Sequence, residues 1–233
     1  MRLQTVLTLL LLSAMLMPVH ALAEPSLAAR LHTLAPELDR TVLSKAVQAM
    51  QCAVRYGDAP GDRLAVIDYS LPSSERRLWL FDLAEESLLL HDLVAHGENT
   101  GFKYSRYFSN TYGSFQSSLG LFRTQESYHG RFGYSLRMDG LEPGVNDLAR
   151  ERAIVIHPAD FVSPDWIERN GFIGRSQGCP AVRPEVADLV VDSLKDGQYL
   201  FAFYPDQEWL QESLFINCEA REVRTRLAAL TTP

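Results

Sequence analysis

A histidine and a cysteine 22 residues apart, His157 and Cys179, carry the sharpest chemistry in this sequence. A thiol attacks only as its thiolate, and a free cysteine titrates at about 8.5, so a catalytic one needs a base or a cation beside it. His157 follows the apolar run Ile154-Val155-Ile156, which places it at the end of a strand. Cys179 sits in Ser176-Gln177-Gly178-Cys179-Pro180, where Gly178 and Pro180 signal a turn rather than a core strand. The separation lets the intervening loop fold back and is too long for a shared helix face. A buried, inert thiol is the plain structural alternative for Cys179, and an ordinary surface or packing role is the alternative for His157. A metal site is not expected: His96, His129 and several acids are present, but no CxxC, HxH or HExxH spacing occurs.

The stretch RAIVIHPADFV followed by GRSQGCPAV resembles the L,D-transpeptidase catalytic domain (the YkuD-like fold), and most closely its murein L,D-transpeptidase branch. The likeness runs from about Leu64 to Tyr204. It implies a mostly β, sandwich- or barrel-like domain that acts on peptidoglycan stem peptides through a cysteine acyl-enzyme, without cofactor. On that resemblance Cys179 is the nucleophile and His157 the base. The Pro158 carbonyl is expected to orient the imidazole, with Asp160 as the alternative. Gly178 and Cys179 would offer backbone N–H groups to the oxyanion, and Gly178 would leave room for the substrate backbone. Ser176 would steady the loop. Gln177 stands where the wider family has histidine, so His157 remains the single evident base. Arg183 lies two positions beyond the family's usual arginine or asparagine and is a candidate carboxylate binder, with helix-start surface charge as its alternative. His96, Ser118 and Tyr134 fall in or near segments that would line the cleft and are candidate substrate contacts, each with an ordinary loop role as alternative. Papain-like and NlpC-like hydrolases place the cysteine before the histidine, the reverse of the order here.

Around these residues the chain reads as an exported protein. Met1-Arg2, the apolar run Val6 to Val19 and Ala21-Leu22-Ala23 form the pattern of a signal peptide cleaved after Ala23. The expected home is the bacterial periplasm or cell envelope, with no transmembrane span, since no later stretch approaches the ~18 apolar residues that a span requires. Loss of Arg2 changes the formal charge from −7 to −8. An acidic chain without a Lys/Arg cluster is a poor partner for nucleic acid or an anionic membrane. Three cysteines in an oxidising compartment leave one over: if Cys179 stays free, Cys52 and Cys218 can pair, although two buried reduced thiols fit the spacing as well. Oligomeric state is not legible.

Four segments follow: a signal peptide (1–23), an N-terminal helical segment (24–61), the catalytic domain (62–205) and a C-terminal helical tail (206–233). Leu38, Val42, Ala46, Met50 and Val54 recur every four residues and predict a helix over Pro36 to Tyr56. Short β-rich runs are expected at Leu64–Tyr69, Arg77–Leu83, Ser87–Ala95, Gly120–Glu126, Ser135–Asp139 and Ala153–His157, forming an antiparallel sandwich or barrel-like sheet. Pro184 to Leu194 reads as a helix with Val186, Leu189, Val190 and Leu194 on one face, and Gln198 to Tyr204 as a last strand. The function this supports is a cysteine L,D-transpeptidase. The alternatives are a carboxypeptidase or endopeptidase that hydrolyses the same thioester, and a non-catalytic wall-binding domain.

Overall fold

The computed structural model describes residues 24–219, so the signal-peptide reading and the end of the C-terminal tail lie outside the described residues. Two helices come first. α1 (Leu27–Leu34), capped by the Ser26 hydroxyl, falls within the expected N-terminal helical segment. α2 (Arg40–Arg55) begins later than Pro36 because the Asp39 carboxylate caps it, accepting from the N–H groups of Thr41 and Val42 at 2.7 and 3.1 Å. Val42, Ala46 and Met50 face inward as the four-residue spacing predicts, while Val54 ends up on the surface.

The strands are β1 (Arg63–Asp68), β2 (Leu78–Asp82), β3 (Ser87–Asp92), β4 (Gly120–Gly130), β5 (Gly133–Gly140), β6 (Val155–Pro158), β7 (Ala181–Val182) and β8 (Tyr199–Phe203). They form one sheet in the order β3-β2-β1-β8-β4-β5-β6-β7. The mostly β, barrel-like expectation holds, with two corrections. The sheet is single rather than a two-layer sandwich, and it is mixed: β1 runs parallel to β8, and β6 parallel to β7. Parallel neighbours need long crossovers, and here the helix between β7 and β8, α4 (Pro184–Leu194), lies within one of them.

Burial explains the sequence texture. RLAVID, LWLFD and YLFAF are almost wholly buried runs; α2 packs on β1, β4 and β8, α4 packs on β1, β4, β5 and β6, and β2 lies between β1 and β3. On α4 the inward face is Ala187, Val190, Val191 and Leu194; Leu189 faces solvent, correcting its predicted place on the apolar stripe. Past β3 the chain stays extended, and Val94 pairs with Val182 of β7 while the Ala95 N–H donates to the Ala181 carbonyl at 2.8 Å. The two sheet edges thus meet, which curls the sheet towards a barrel and leaves neither edge unpaired at this end. Two short helices were not anticipated as such: α3 (Pro164–Asn170), capped by Ser163 and ended by Gly171 at φ +79°, and α5 (Gln207–Glu212) within the expected C-terminal helical segment. Among the described residues no helix is long and apolar enough to cross a membrane.

The Cys52 and Cys218 sulfurs are joined in a disulfide, with Cα atoms 5.7 Å apart, tying α2 to the segment after α5. A cross-link over 166 residues removes much chain entropy from the unfolded state. Replacing both residues by serine should therefore lower the stability read from urea unfolding by about 2–5 kcal/mol. An unchanged midpoint would show that the bond adds nothing to the fold.

Candidate active site

The pairing of β6 with β7 assembles the site. Its register sets His157 opposite Ala181, so Cys179, two residues earlier, arrives beside the start of β6. There the Val155 N–H points at the Cys179 sulfur at 3.4 Å, and the thiol has the Ala153 carbonyl as acceptor at 3.6 Å. Val155 and His157 are two apart on one strand, hence on the same side of it, roughly 6.6 Å along. Both Cys179 and His157 line a cleft of about 1130 Å³, which also exposes Gln177, Phe132, Arg131 and Tyr128. Cys179 is 8% exposed and His157 4%, so the pair forms the cleft floor.

The imidazole is fixed from two sides. Its Nδ1 lies 2.8 Å from the Pro158 carbonyl oxygen, which can only accept. Nδ1 therefore carries the proton and Nε2 keeps the lone pair, which is the form a general base requires. The Phe132 ring stacks on the imidazole, centroids 4.5 Å apart. Burial, and then the Arg131 charge, push the imidazole below its ordinary value against the opposing Pro158 bond. Burial pushes the Cys179 thiol up, partly offset by the Val155 N–H and the charges of Arg152 and Arg131. Both shifts favour a neutral thiol beside a neutral imidazole over a resting ion pair.

The loop that carries Cys179 is held by a chain of hydrogen bonds. The Gly97 N–H donates to the Ser117 hydroxyl at 3.0 Å, and that hydroxyl donates to the Gly178 carbonyl at 3.0 Å. Ser176 donates from its hydroxyl to the Cys179 carbonyl at 2.6 Å and receives the Gly178 N–H at 3.1 Å. This last bond corrects the predicted oxyanion pair, because the Gly178 N–H is already engaged. The Cys179 N–H meets no acceptor among the described residues and remains the free donor. Gly178 has a reason other than room for substrate: it sits at φ +117°, and a Cβ there would lie 2.9 Å from the Gln116 carbonyl oxygen. Ala153, whose carbonyl faces the thiol, holds φ +54° without being glycine, as does cleft-lining Phe115. Such backbone costs on the order of 1–3 kcal/mol and tends to gather at functional sites.

Four candidate substrate contacts lie away from this cleft. His96 is fully buried, with Nδ1 2.7 Å from the Arg77 guanidinium and Nε2 3.2 Å from the Gly101 carbonyl oxygen. Burial and the Arg77 charge bring it down to about 3, so it stays neutral inside the scaffold. Arg183 grips buried Asp92 through Nε and Nη2 at 2.9 and 2.8 Å, which spends its fork on the protein itself. Ser118 is buried, donating to the Ser109 carbonyl at 2.8 Å and accepting from Arg152. The Tyr134 hydroxyl bonds Asp192 at 2.9 Å and Ser127 at 3.2 Å.

The sequence profile of the family described as L,D-transpeptidase catalytic domain matches residues 34–203, most of the chain. The chain belongs to the L,D-transpeptidase catalytic-domain family. Solved structures with the same description are distant. An L,D-transpeptidase from Mycobacterium smegmatis shares 13% identity at a TM-score of 0.39, over 62% of this chain and 60% of that one. One from Stackebrandtia nassauensis shares 11% at 0.37 over 75% of each chain. The matched region therefore spans about three fifths of the M. smegmatis chain. No curated protein matches.

Within this L,D-transpeptidase domain, sequence reasoning missed Arg152 and Arg131. Arg152 bonds the Ser109 and Gln116 carbonyls at 2.6 Å each and the Ser118 and Ser114 hydroxyls, so one guanidinium holds the 109–118 wall of the cleft. No local motif marks it, since its partners lie 34 to 43 residues away. Among the described residues no group of His, Cys, Asp and Glu is placed to hold a metal.

The neutral resting pair has a direct consequence. Alkylation of Cys179 by iodoacetamide, followed by mass spectrometry from roughly pH 5 to 10, should rise with a midpoint above the ordinary thiol value of about 8.5. A flat, fast plateau below neutrality would mean a thiolate–imidazolium pair and contradict this electrostatic reading.

Proposed function

We propose that the domain is an exported cysteine L,D-transpeptidase whose donor is a peptidoglycan stem tetrapeptide. His157 Nε2 takes the Cys179 proton, and the thiolate attacks the carbonyl carbon of the third, diamino-acid residue. The Cys179 N–H receives the developing oxyanion, a contribution of several kcal/mol in acyl transfer generally. The imidazolium returns the proton to the leaving nitrogen, the C–N bond breaks, and D-alanine departs, leaving a thioester on Cys179. An amine from a second stem then attacks the thioester and loses its proton to His157. The amide forms, and the sulfur leaves and is reprotonated.

The observation that carries this reading is the His157–Pro158 bond, because it leaves the basic nitrogen free in the cleft that also holds the thiol. The Val155 N–H supports it by giving the thiolate a partner as the proton leaves. The neutral resting pair fits the same scheme, since it moves the proton only as the substrate carbonyl is attacked. The signal-peptide pattern read in residues 1–23 supports a periplasmic setting, where stem peptides are found.

Intact-mass analysis after incubation with a carbapenem, the inhibitor class the family implies, should show one covalent adduct on the wild-type protein and none on Cys179→Ala. An adduct that persists in Cys179→Ala, or none on wild type, would defeat the assignment. His157→Gln should slow acylation by about 10²–10⁴, the range for losing a general base. With purified muropeptides, new cross-linked dimers would mark transfer, whereas trimmed monomers alone would mark hydrolysis of the thioester.

A further inference from the structure

Three guanidiniums line the cleft against a single acid, Glu98, in a chain whose formal charge is −7. Arg152 is spent on the 109–118 wall. Arg175 donates from Nη1 to the Glu98 and Gly101 carbonyls at 2.9 and 3.2 Å and lies over the Phe102 ring. Arg131 differs from both. Among the described residues it meets no carboxylate and no carbonyl, and its contact is with the Phe132 ring, 4.4 Å from guanidinium carbon to centroid. An exposed cation left without an anion at the rim of a cleft whose floor is buried, in an acidic protein, is arranged for an anion that arrives with the substrate.

Its placement is set by the fold. Gly130 pairs with Gly133, so Arg131 and Phe132 form the two-residue tip of the β4–β5 hairpin. Phe132 stacks on His157 and Arg131 lies over Phe132, so one ring touches both the guanidinium and the proposed catalytic imidazole. The short connection gives the tip little freedom to move that charge elsewhere. A guanidinium in this position has its fork available for bidentate carboxylate binding.

We infer that Arg131 is a specificity-determining residue that binds the terminal carboxylate of the residue leaving the acyl donor. This rests on the transpeptidase reading: in a tetrapeptide donor that carboxylate is three bonds from the scissile carbonyl carbon, close enough for a group in the same cleft as the imidazole to read it. An internal peptide bond presents no such anion. The placement that supports this role is that Arg131 and His157 line one cleft and touch one Phe132 ring. Arg131 thereby directs the enzyme to chain-terminal residues and away from cleavage within a longer peptide. The electrostatics agree, since the Arg131 charge is felt at both the His157 imidazole and the Cys179 sulfur. The carboxylate takes no part in bond making.

Two measurements on the full disulfide-bonded chain test this, one independent of any peptide substrate. The rate constants for alkylation of Cys179 by iodoacetate and by iodoacetamide are each normalised to free N-acetylcysteine. Any change in thiolate fraction cancels in their ratio. Wild type should favour the anionic reagent over the neutral one by about three- to tenfold more than Arg131→Gln does, the effect of one nearby charge at partial screening. Arg131→Lys should retain most of that preference. An equal ratio in wild type and Arg131→Gln would overturn the proposal. The second measurement compares a stem tetrapeptide ending in D-alanine with the same peptide ending in D-alanine amide. Amidation should lower kcat/KM about tenfold or more in wild type and by no more than about twofold in Arg131→Gln, the reach of one charge-assisted bond. A preference for the acid that survives intact in Arg131→Gln would equally overturn it. Turnover of neither peptide by wild type would instead defeat the transpeptidase reading, and the alkylation ratio would still decide whether Arg131 gathers carboxylates at the sulfur.

Discussion

The hydrogen bond from His157 Nδ1 to the Pro158 carbonyl is the constraint on which the site depends. It is local, joining a residue to its own neighbour, yet it exists only because β6 ends at that proline. Unlike a carboxylate side chain, a backbone carbonyl is not turned into a donor by protonation and cannot swing away, so the tautomer it selects is built into the backbone. The parallel β6–β7 pairing then brings the cysteine loop to the same strand, with the Val155 N–H as the sulfur's anchor. His157 thus lies on the strand to which the Cys179 loop is anchored, and the proposed base and nucleophile take their alignment from that one strand.

Burial gives this arrangement its electrostatic character. Each partner is protected from water, so each resists charge in the resting state, and in the proposed reaction charge separation is deferred to the attack. The surrounding donors are fixed before that moment. Ser117 spans the Gly97 N–H and the Gly178 carbonyl, and Ser176 closes the turn on both sides of the cysteine. Because the two ends of a peptide plane point opposite ways, anchoring the Gly178 carbonyl also aims the Cys179 N–H. Backbone strain at Ala153 and Phe115 is the counterpart of that rigidity.

Much of this was legible from residue order. A histidine ending an apolar run, followed by a cysteine between glycine and proline, pointed to two residues that the fold brings to one cleft, and the short apolar runs pointed to the β-rich setting. The proline and the apolar spacing gave α4 its limits. What failed to show had no periodic signal: α3 buries none of its residues, and β7 is two residues long. Arg183, His96, Ser118 and Tyr134 were polar residues in plausible places, but a sequence cannot tell a side chain offered to substrate from one already held by the protein. In each case a distant partner decided it: Asp92, Arg77, Arg152 and Asp192. The same blindness hid Arg131, whose significance lies in lacking such a partner.

The central claim is a statement about one proton, and nitrogen NMR of the histidine rings reads it directly. With His157 assigned by comparison with His157→Gln, the resting protein at neutral pH should show a protonated Nδ1 and an unprotonated Nε2. A ring protonated on Nε2, or on both nitrogens, would contradict the account, because the nitrogen left for the thiol would then have no lone pair to accept its proton.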